Sequence, residues 1–168
     1  MTLDKISYRK ATISDVIPIR ELQQNNLREV GGTLSASLSS STIGQMIEDL
    51  PAMVAVCDDG VVGYLLTSRP ETTVGQPIIK AMLQAYPVEK DTIIYGPICV
   101  SSKLRGKGVA HGLWGELRRT IPKLKCLCFI RQDNTASIHA HSKLGMKEVA
   151  SFTYNDAAHI VFTYGLGR

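Results

Sequence analysis

The sequence predicts an α/β or α+β fold on a mixed sheet, and three observations carry that prediction. In the middle of the chain, short apolar strand-like runs alternate with helical periodicities. Towards both ends, paired strand-like runs meet at turn residues, as antiparallel hairpins do. The chain has 168 residues, 44% of them hydrophobic and 20% charged, which fits one domain with a substantial core. No internal repeat, linker or composition shift divides residues 1–168, so they read as a single domain.

Taken in order, "ISYRKA" (6–11) reads as a strand, and "TISDVIPIRELQQNNLREV" as an amphipathic helix with Val16, Ile19, Leu22 and Leu27 inward. Thr12 and Asp15 offer a capping box, whereas Pro18 sits more comfortably if Ser14 is the cap. "GGTLSASLSSS" (31–41) reads as a mobile loop, and "TIGQMIEDL" as a short helix stopped at Pro51. "AMVAVCDDGVVGYLLTSRP" is a hairpin turning at Asp-Gly. Within the excursion 71–92, Ile79, Met82, Leu83 and Tyr86 fall at helical spacing. "TIIYGPICV" is a buried strand interrupted by Gly96 and Pro97, where a bulge or an edge is expected. A glycine-rich helix over 106–121 follows and closes at Pro122, then the strand "CLCFI". "NTASIHAHSKLG" is a helix with Asn134 as N-cap and Gly145 just past its end. Two last strands, about 146–154 and 158–166, meet at "NDAA".

The bulk properties narrow the function. The longest apolar runs are too short to cross a bilayer, and "MTLDKISYRK" has no signal-peptide core. A cytoplasmic protein without a membrane partner is expected. Cys57, Cys99, Cys126 and Cys128 each lie in an apolar strand-like run, with no ligand spacing for zinc, so four buried thiols and no metal are expected. The net charge of +4 suits an anionic small ligand, and no basic block or aromatic RNA motif points to nucleic acid.

Chemistry concentrates in "SSKLRGKGVAHGLW" (101–114). Each glycine inside a helix costs about 1 kcal/mol relative to alanine, so Gly106, Gly108 and Gly112 demand a reason. Amides at a helix start, with the positive end of its dipole, bind anions, and glycines let a phosphate approach them. Lys103, Arg105 and Lys107 add flanking charge. The plainer alternative is a close helix–strand crossing. A Walker loop is excluded because no Gly-Lys-Ser/Thr follows the required spacer. "GKGVAHG" approaches the dinucleotide fingerprint, but His111 stands where its third glycine or alanine belongs.

"RGKGVA" resembles the Q/R-x-x-G-x-G/A signature of the GNAT superfamily of acyl-CoA-dependent N-acetyltransferases, through Arg105, Gly108 and Ala110. "YRKATISDVIPIREL" and "VAVCDDGVVGYLL" resemble its first strand and helix and its next two strands, and "NTASIHAHSKLGMKEV" its N-x-x-A-x-x-x-Y-x-K-x-G-F segment. The resemblance implies six to seven mostly antiparallel strands, splayed between the fourth and fifth, and about four helices. It implies acetyl-CoA as cosubstrate, its diphosphate on the main-chain amides of Arg105, Gly106, Lys107, Gly108, Val109 and Ala110. It also implies a pantetheine arm paired with Ile98 and Val100, and an oxyanion donor from the amide of Ile98 or Cys99.

Where the family carries a tyrosine that protonates the departing thiolate, this sequence has His141. Asn134, Ser137 and His141 share a helical face that would look onto the pantetheine. An imidazolium can donate to a thiolate; alternatively, His141 packs against the cofactor, bonded to Ser137. No carboxylate stands where the family's general base often lies, and Glu21, Glu29, Glu48 and Asp49 remain unassigned. The acceptor implied is a primary amine of a small molecule or peptide. Residues 31–50 and 71–92 should frame it, the apolar stripe of the second lining a pocket or a homodimer surface. The rivals are a non-catalytic acyl-CoA sensor and a dinucleotide oxidoreductase.

Overall fold

Thr12 and Asp15 start the first helix in two stages. Asp15 Oδ2 accepts the Thr12 amide at 2.8 Å, closing half of the predicted capping box around a 3-10 turn, Ile13–Asp15. Helix α1 (Val16–Gln24) follows, which leaves Pro18 in its first turn, where a missing N–H is harmless. The helix ends six residues before the expected Val30, because Asn25 and Asn26 turn the chain there.

The computed structural model describes residues 5–35, 37–73 and 75–166. The polar start of the chain (1–4), Ala36, Val74 and residues 167–168 lie outside them. The described chain forms a seven-stranded sheet in the order β1-β2-β3-β4-β5-β7-β6, together with six helices. It divides into two compact units, the described part of Met1–Thr67 with Gly96–Pro122, and that of Ser68–Arg168 without the latter segment.

In the first unit, β1 (Ser7–Lys10), β2 (Met53–Cys57) and most of β3 (Gly60–Ser68) pair antiparallel. Asp58 and Asp59 form the turn into Gly60, whose φ of +103° only glycine adopts easily. Helix α2 (Ser40–Asp49) is capped by Ser39, which accepts the Thr42 amide at 3.1 Å. Ile19 of α1, Ile43 and Ile47 of α2 and Val54, Tyr64 and Leu66 of the sheet share one core with Cys99. Helix α5 (Val109–Thr120) packs on β1 and β2. Its Val109, Leu113, Trp114 and Leu117 are buried, as the i, i+4, i+5, i+8 spacing dictates.

The 31–41 segment, expected to be a mobile loop, is pinned instead. Gln23, 1% exposed, hydrogen-bonds both polar groups of Leu38: its Nε2 donates to the carbonyl (2.9 Å) and its Oε1 accepts the amide (3.0 Å). Leu34 exchanges further bonds with Asn26 and Arg28. Serine and glycine content signalled an irregular path, and the buried amide side chains supply the anchors that composition does not reveal.

In the second unit, the excursion holds two helices, α3 (Pro70–Thr73) and α4 (Pro77–Ala85), where one was expected. Ile79 and Met82 bury against Ile94, Leu127 and Val161. Strand β4 (Ile93–Val100) runs parallel to β5 (Cys126–Arg131) over just two pairs, Ile93↔Cys126 and Ile94↔Leu127. Strand β7 (Ala157–Tyr164) pairs antiparallel with β5 and with β6 (Lys147–Tyr154), and Asn155 and Asp156, both at positive φ, turn that last hairpin. Helix α6 (Thr135–Lys143) has the expected ends, with Asn134 accepting the Ser137 amide and Gly145 left-handed at φ +87°. Cys99, Cys126 and Cys128 are buried, and Cys57 is half-buried, less enclosed than expected.

Candidate functional site

In the first unit, the corner after β4 answers what three glycines are doing near one helix. Ser101 is tied to β3 through its amide and the Val62 carbonyl (2.8 Å), and a 3-10 turn, Ser102–Leu104, is anchored by buried Leu104. Gly106 (φ +73°) and Gly108 (φ +83°) then adopt left-handed conformations before the helix begins. The helix therefore starts at Val109, three residues after the expected 106, and Gly106 and Gly108 impose no mid-helix cost. A Cβ at either would meet nothing within 4 Å, so open space lies beside the bare backbone.

Gly112 has a different cause. A Cβ there would fall 2.0 Å from the Tyr8 ring, so it is glycine to admit β1, not a ligand. The plainer reading of the motif as a close crossing thus holds for Gly112, and the open-cradle reading for Gly106 and Gly108.

The first bond into the helix runs from the Gly112 amide to the Gly108 carbonyl (3.0 Å). The amides of Val109, Ala110 and His111 precede that ladder, and Gly108 offers no side-chain cap. With Lys103 and Lys107 exposed beside them, these donors suit an anion. Arg105 does not extend towards them. Its Nη2 donates to Asn26 Oδ1 and its Nε to the Val100 carbonyl at 3.4 Å.

The last residues of β4 offer main chain rather than side-chain chemistry. Cys99 is 5% exposed beside the buried Tyr64 hydroxyl, which has no nitrogen or oxygen partner among the described residues. Burial pushes the Cys99 thiol up to about 11, so it is no nucleophile at neutral pH. Ile98 and Val100 are half-buried. On β3, a Cβ at Gly63 would lie 3.2–3.3 Å from Val109, the Cys99 carbonyl and Leu113, so this glycine sets how closely β4 and α5 approach.

In the second unit, Asn134, Ser137 and His141 do share one face of α6. Asn134 Oδ1 is occupied with the Ser137 amide at 3.2 Å. His141 is 5% exposed, with its Nδ1 2.7 Å from the Ser137 carbonyl and 3.2 Å from Ser137 Oγ. A carbonyl only accepts, so Nδ1 carries the hydrogen and Nε2 is the ring's remaining acceptor. The Tyr95 ring meets the imidazole edge-on at 5.4 Å. Burial pulls the His141 pKa below its ordinary value, and the Ser137 carbonyl opposes that only in part. At neutral pH the ring rests as neutral imidazole, so the imidazolium that the proton-donor alternative uses is not its resting form.

The other histidines lie elsewhere. His111 and His139 are exposed, and His159 is buried, stacked on Phe152 at 5.0 Å. No three His, Cys, Asp or Glu among the described residues are grouped to hold a metal. No described helix is long and apolar enough to cross a membrane. The sequence does not single out Asn26 or Gly63; the polar run "QQNN" inside an apolar periodicity was the one available signal for the first.

Comparison with known proteins identifies the family and the fold. The profile of the acetyltransferase (GNAT) family matches residues 19–146. A GNAT-family acetyltransferase from Streptococcus agalactiae has the same fold at TM-score 0.72 and 15% identity, over 97% of this chain and 96% of that one. NAA60 of Arabidopsis thaliana, solved in complex with acetyl-CoA, aligns at TM-score 0.67 and 13% identity, covering 95% and 97%. A ribosomal-protein-alanine N-acetyltransferase from Brucella melitensis aligns at 0.68 and 18%, covering 95% and 99%. No curated protein sequence matches significantly.

Proposed function

The chain belongs to the GNAT acetyltransferase family, and from that premise we propose that it moves an acetyl group from acetyl-CoA to a primary amine of a small molecule or peptide. The observation that carries this is the corner before α5, with two left-handed glycines open on their Cβ side and helix-start amides ahead of the ladder. That donor set fits a diphosphate: several N–H groups, no carboxylate among residues 101–111, and exposed Lys103 and Lys107.

In this reading, the amides of Arg105, Gly106, Lys107, Gly108, Val109 and Ala110 hold the diphosphate. The main chain of Ile98 and Val100 pairs with the pantetheine amides. The thioester supplies an activated acetyl group with a thiolate leaving group. An amide from Ile98 or Cys99 donates to the carbonyl oxygen as charge develops there, a contribution of about 3 kcal/mol for one well-placed donor. Asn134 and Ser137 stand on the cosubstrate side of α6, and Ser137 fixes His141.

His141 then acts through Nε2. Resting neutral, it takes the proton that the attacking amine loses and returns it to the sulfur. The donor role expected from sequence thus needs a proton acquired during the reaction, while Ser137 holds the tautomer that leaves Nε2 able to receive one. Residues 1–168 act as one acetyltransferase domain. Buried, unpaired Cys99, Cys126 and Cys128 suit the reducing cytoplasm in which we place it.

The test is incubation with acetyl-CoA and a panel of primary amines, following thiol release. Release that depends on one class of amine is expected. Tight CoA binding without release across a broad panel would favour a sensor, and stabilisation by NADH but not CoA a dinucleotide enzyme.

A further inference from the structure

We propose that Asn26 is a positioning residue for cosubstrate binding, acting through Arg105; the inference rests on the acetyl-CoA reading of the α5 corner. Asn26 follows α1 and is 3% exposed, and both polar atoms of its side chain are hydrogen-bonded. Nδ2 donates to the Leu22 carbonyl at 2.8 Å, and Oδ1 accepts from Arg105 Nη2. Its main chain is held as well, the amide by the Gln23 carbonyl (2.9 Å) and the carbonyl by the Leu34 amide (3.1 Å). Gly32 packs so closely that a Cβ there would fall 1.9 Å from the Asn26 carbonyl oxygen. Asn26 is therefore a fixed point rather than a surface contact.

Arg105 is the residue immediately before the left-handed Gly106. Two left-handed glycines leave residues 106–108 with few conformational restraints of their own. The restraint comes from Arg105, whose side chain reaches from the Val100 carbonyl to Asn26. A planar guanidinium makes both bonds at once, and a lysine ammonium on its flexible stem does not reproduce that fork. The tie keeps the side chain away from the helix-start amides while its charge stays nearby. A neutral acceptor serves this better than a carboxylate, because the guanidinium charge remains uncompensated for the diphosphate.

The experiment is CoA titration by calorimetry, with steady-state kinetics in acetyl-CoA, on wild type, Arg105→Lys, Asn26→Ala, Arg105→Ala and the Asn26→Ala/Arg105→Ala double variant. Arg105→Lys keeps the charge and is exposed, so it folds whatever happens to Asn26. It should weaken CoA binding about tenfold and raise KM for acetyl-CoA similarly, with kcat at saturation changed less than about twofold. Asn26→Ala should weaken binding as much in wild type, and add nothing in the Arg105→Ala protein. Equal affinity for wild type and Arg105→Lys would overturn the role of the tie, as would an Asn26→Ala loss that persists undiminished without Arg105. A wild-type chain that takes no CoA would end the acetyl-CoA reading itself, and this inference with it.

Discussion

His141 is where a single side chain departs from the motif its neighbours follow, and its surroundings decide what it can do. Desolvation lowers its pKa, so it is neutral at pH 7 and gains a proton only as pH falls through that lowered value. As proton acceptor it should give kcat/KM an acid limb below pH 6.5, the activity rising with pH and then levelling. Replacement by phenylalanine should lower kcat by about 10²–10⁴-fold and abolish that limb, measured as a pH–rate profile. An unchanged profile would leave His141 as packing. Its tautomer was not legible in the sequence, because the Ser137 carbonyl bond depends on helix geometry, although the i, i+4 spacing did bring the two residues together. Asp15 shows the same gap between motif and strength. The capping box was readable, but the paired bonds from Arg9 at 2.7 and 2.9 Å were not. Arg9 above all, with help from Thr12, holds the Asp15 carboxyl below its ordinary value. A depressed carboxylate pKa stabilises the fold above the unfolded value near 3.8, and that stability is lost as pH falls through the folded value. Asp15→Asn should therefore cost about 1–3 kcal/mol at pH 7, measured by urea unfolding, and the difference from wild type should shrink in acid.

At the scale of elements, α5 separates glycines by cause, and substitutions can test the separation. Gly112→Ala forces a methyl into the Tyr8 ring and should destabilise by about 1–3 kcal/mol. Gly115→Ala, on the same helix with nothing within 4 Å, should stabilise by up to about 1 kcal/mol. Thermal melts of the pair provide the check, and equal shifts would contradict the assignment. Glycine spacing alone did not distinguish these roles, since left-handed backbone and a close aromatic neighbour leave the same letter in the sequence. Elements with local signals were legible. The ends of α6, the "NDAA" hairpin and the apolar stripe of α5 each follow from residues within a few positions. The pinned 31–41 segment was not, because its anchors, Gln23 and Asn26, lie in a helical pattern where polar residues ordinarily face water.

At the scale of the molecule, a mostly antiparallel sheet of six to seven strands could be anticipated from the family resemblance, whereas the strand order and the two-pair register of β4 with β5 are facts of three-dimensional pairing. The central claim concerns neither, but the backbone of one corner: that the amides from Arg105 to Ala110 receive a diphosphate. Amide-resolved NMR during CoA titration tests it most directly. The account predicts that the Gly106, Gly108, Val109 and Ala110 resonances shift with CoA and stay in place with pantetheine, which lacks the diphosphate. CoA binding that leaves those four amides unmoved, or shifts of the same size with pantetheine, would contradict it.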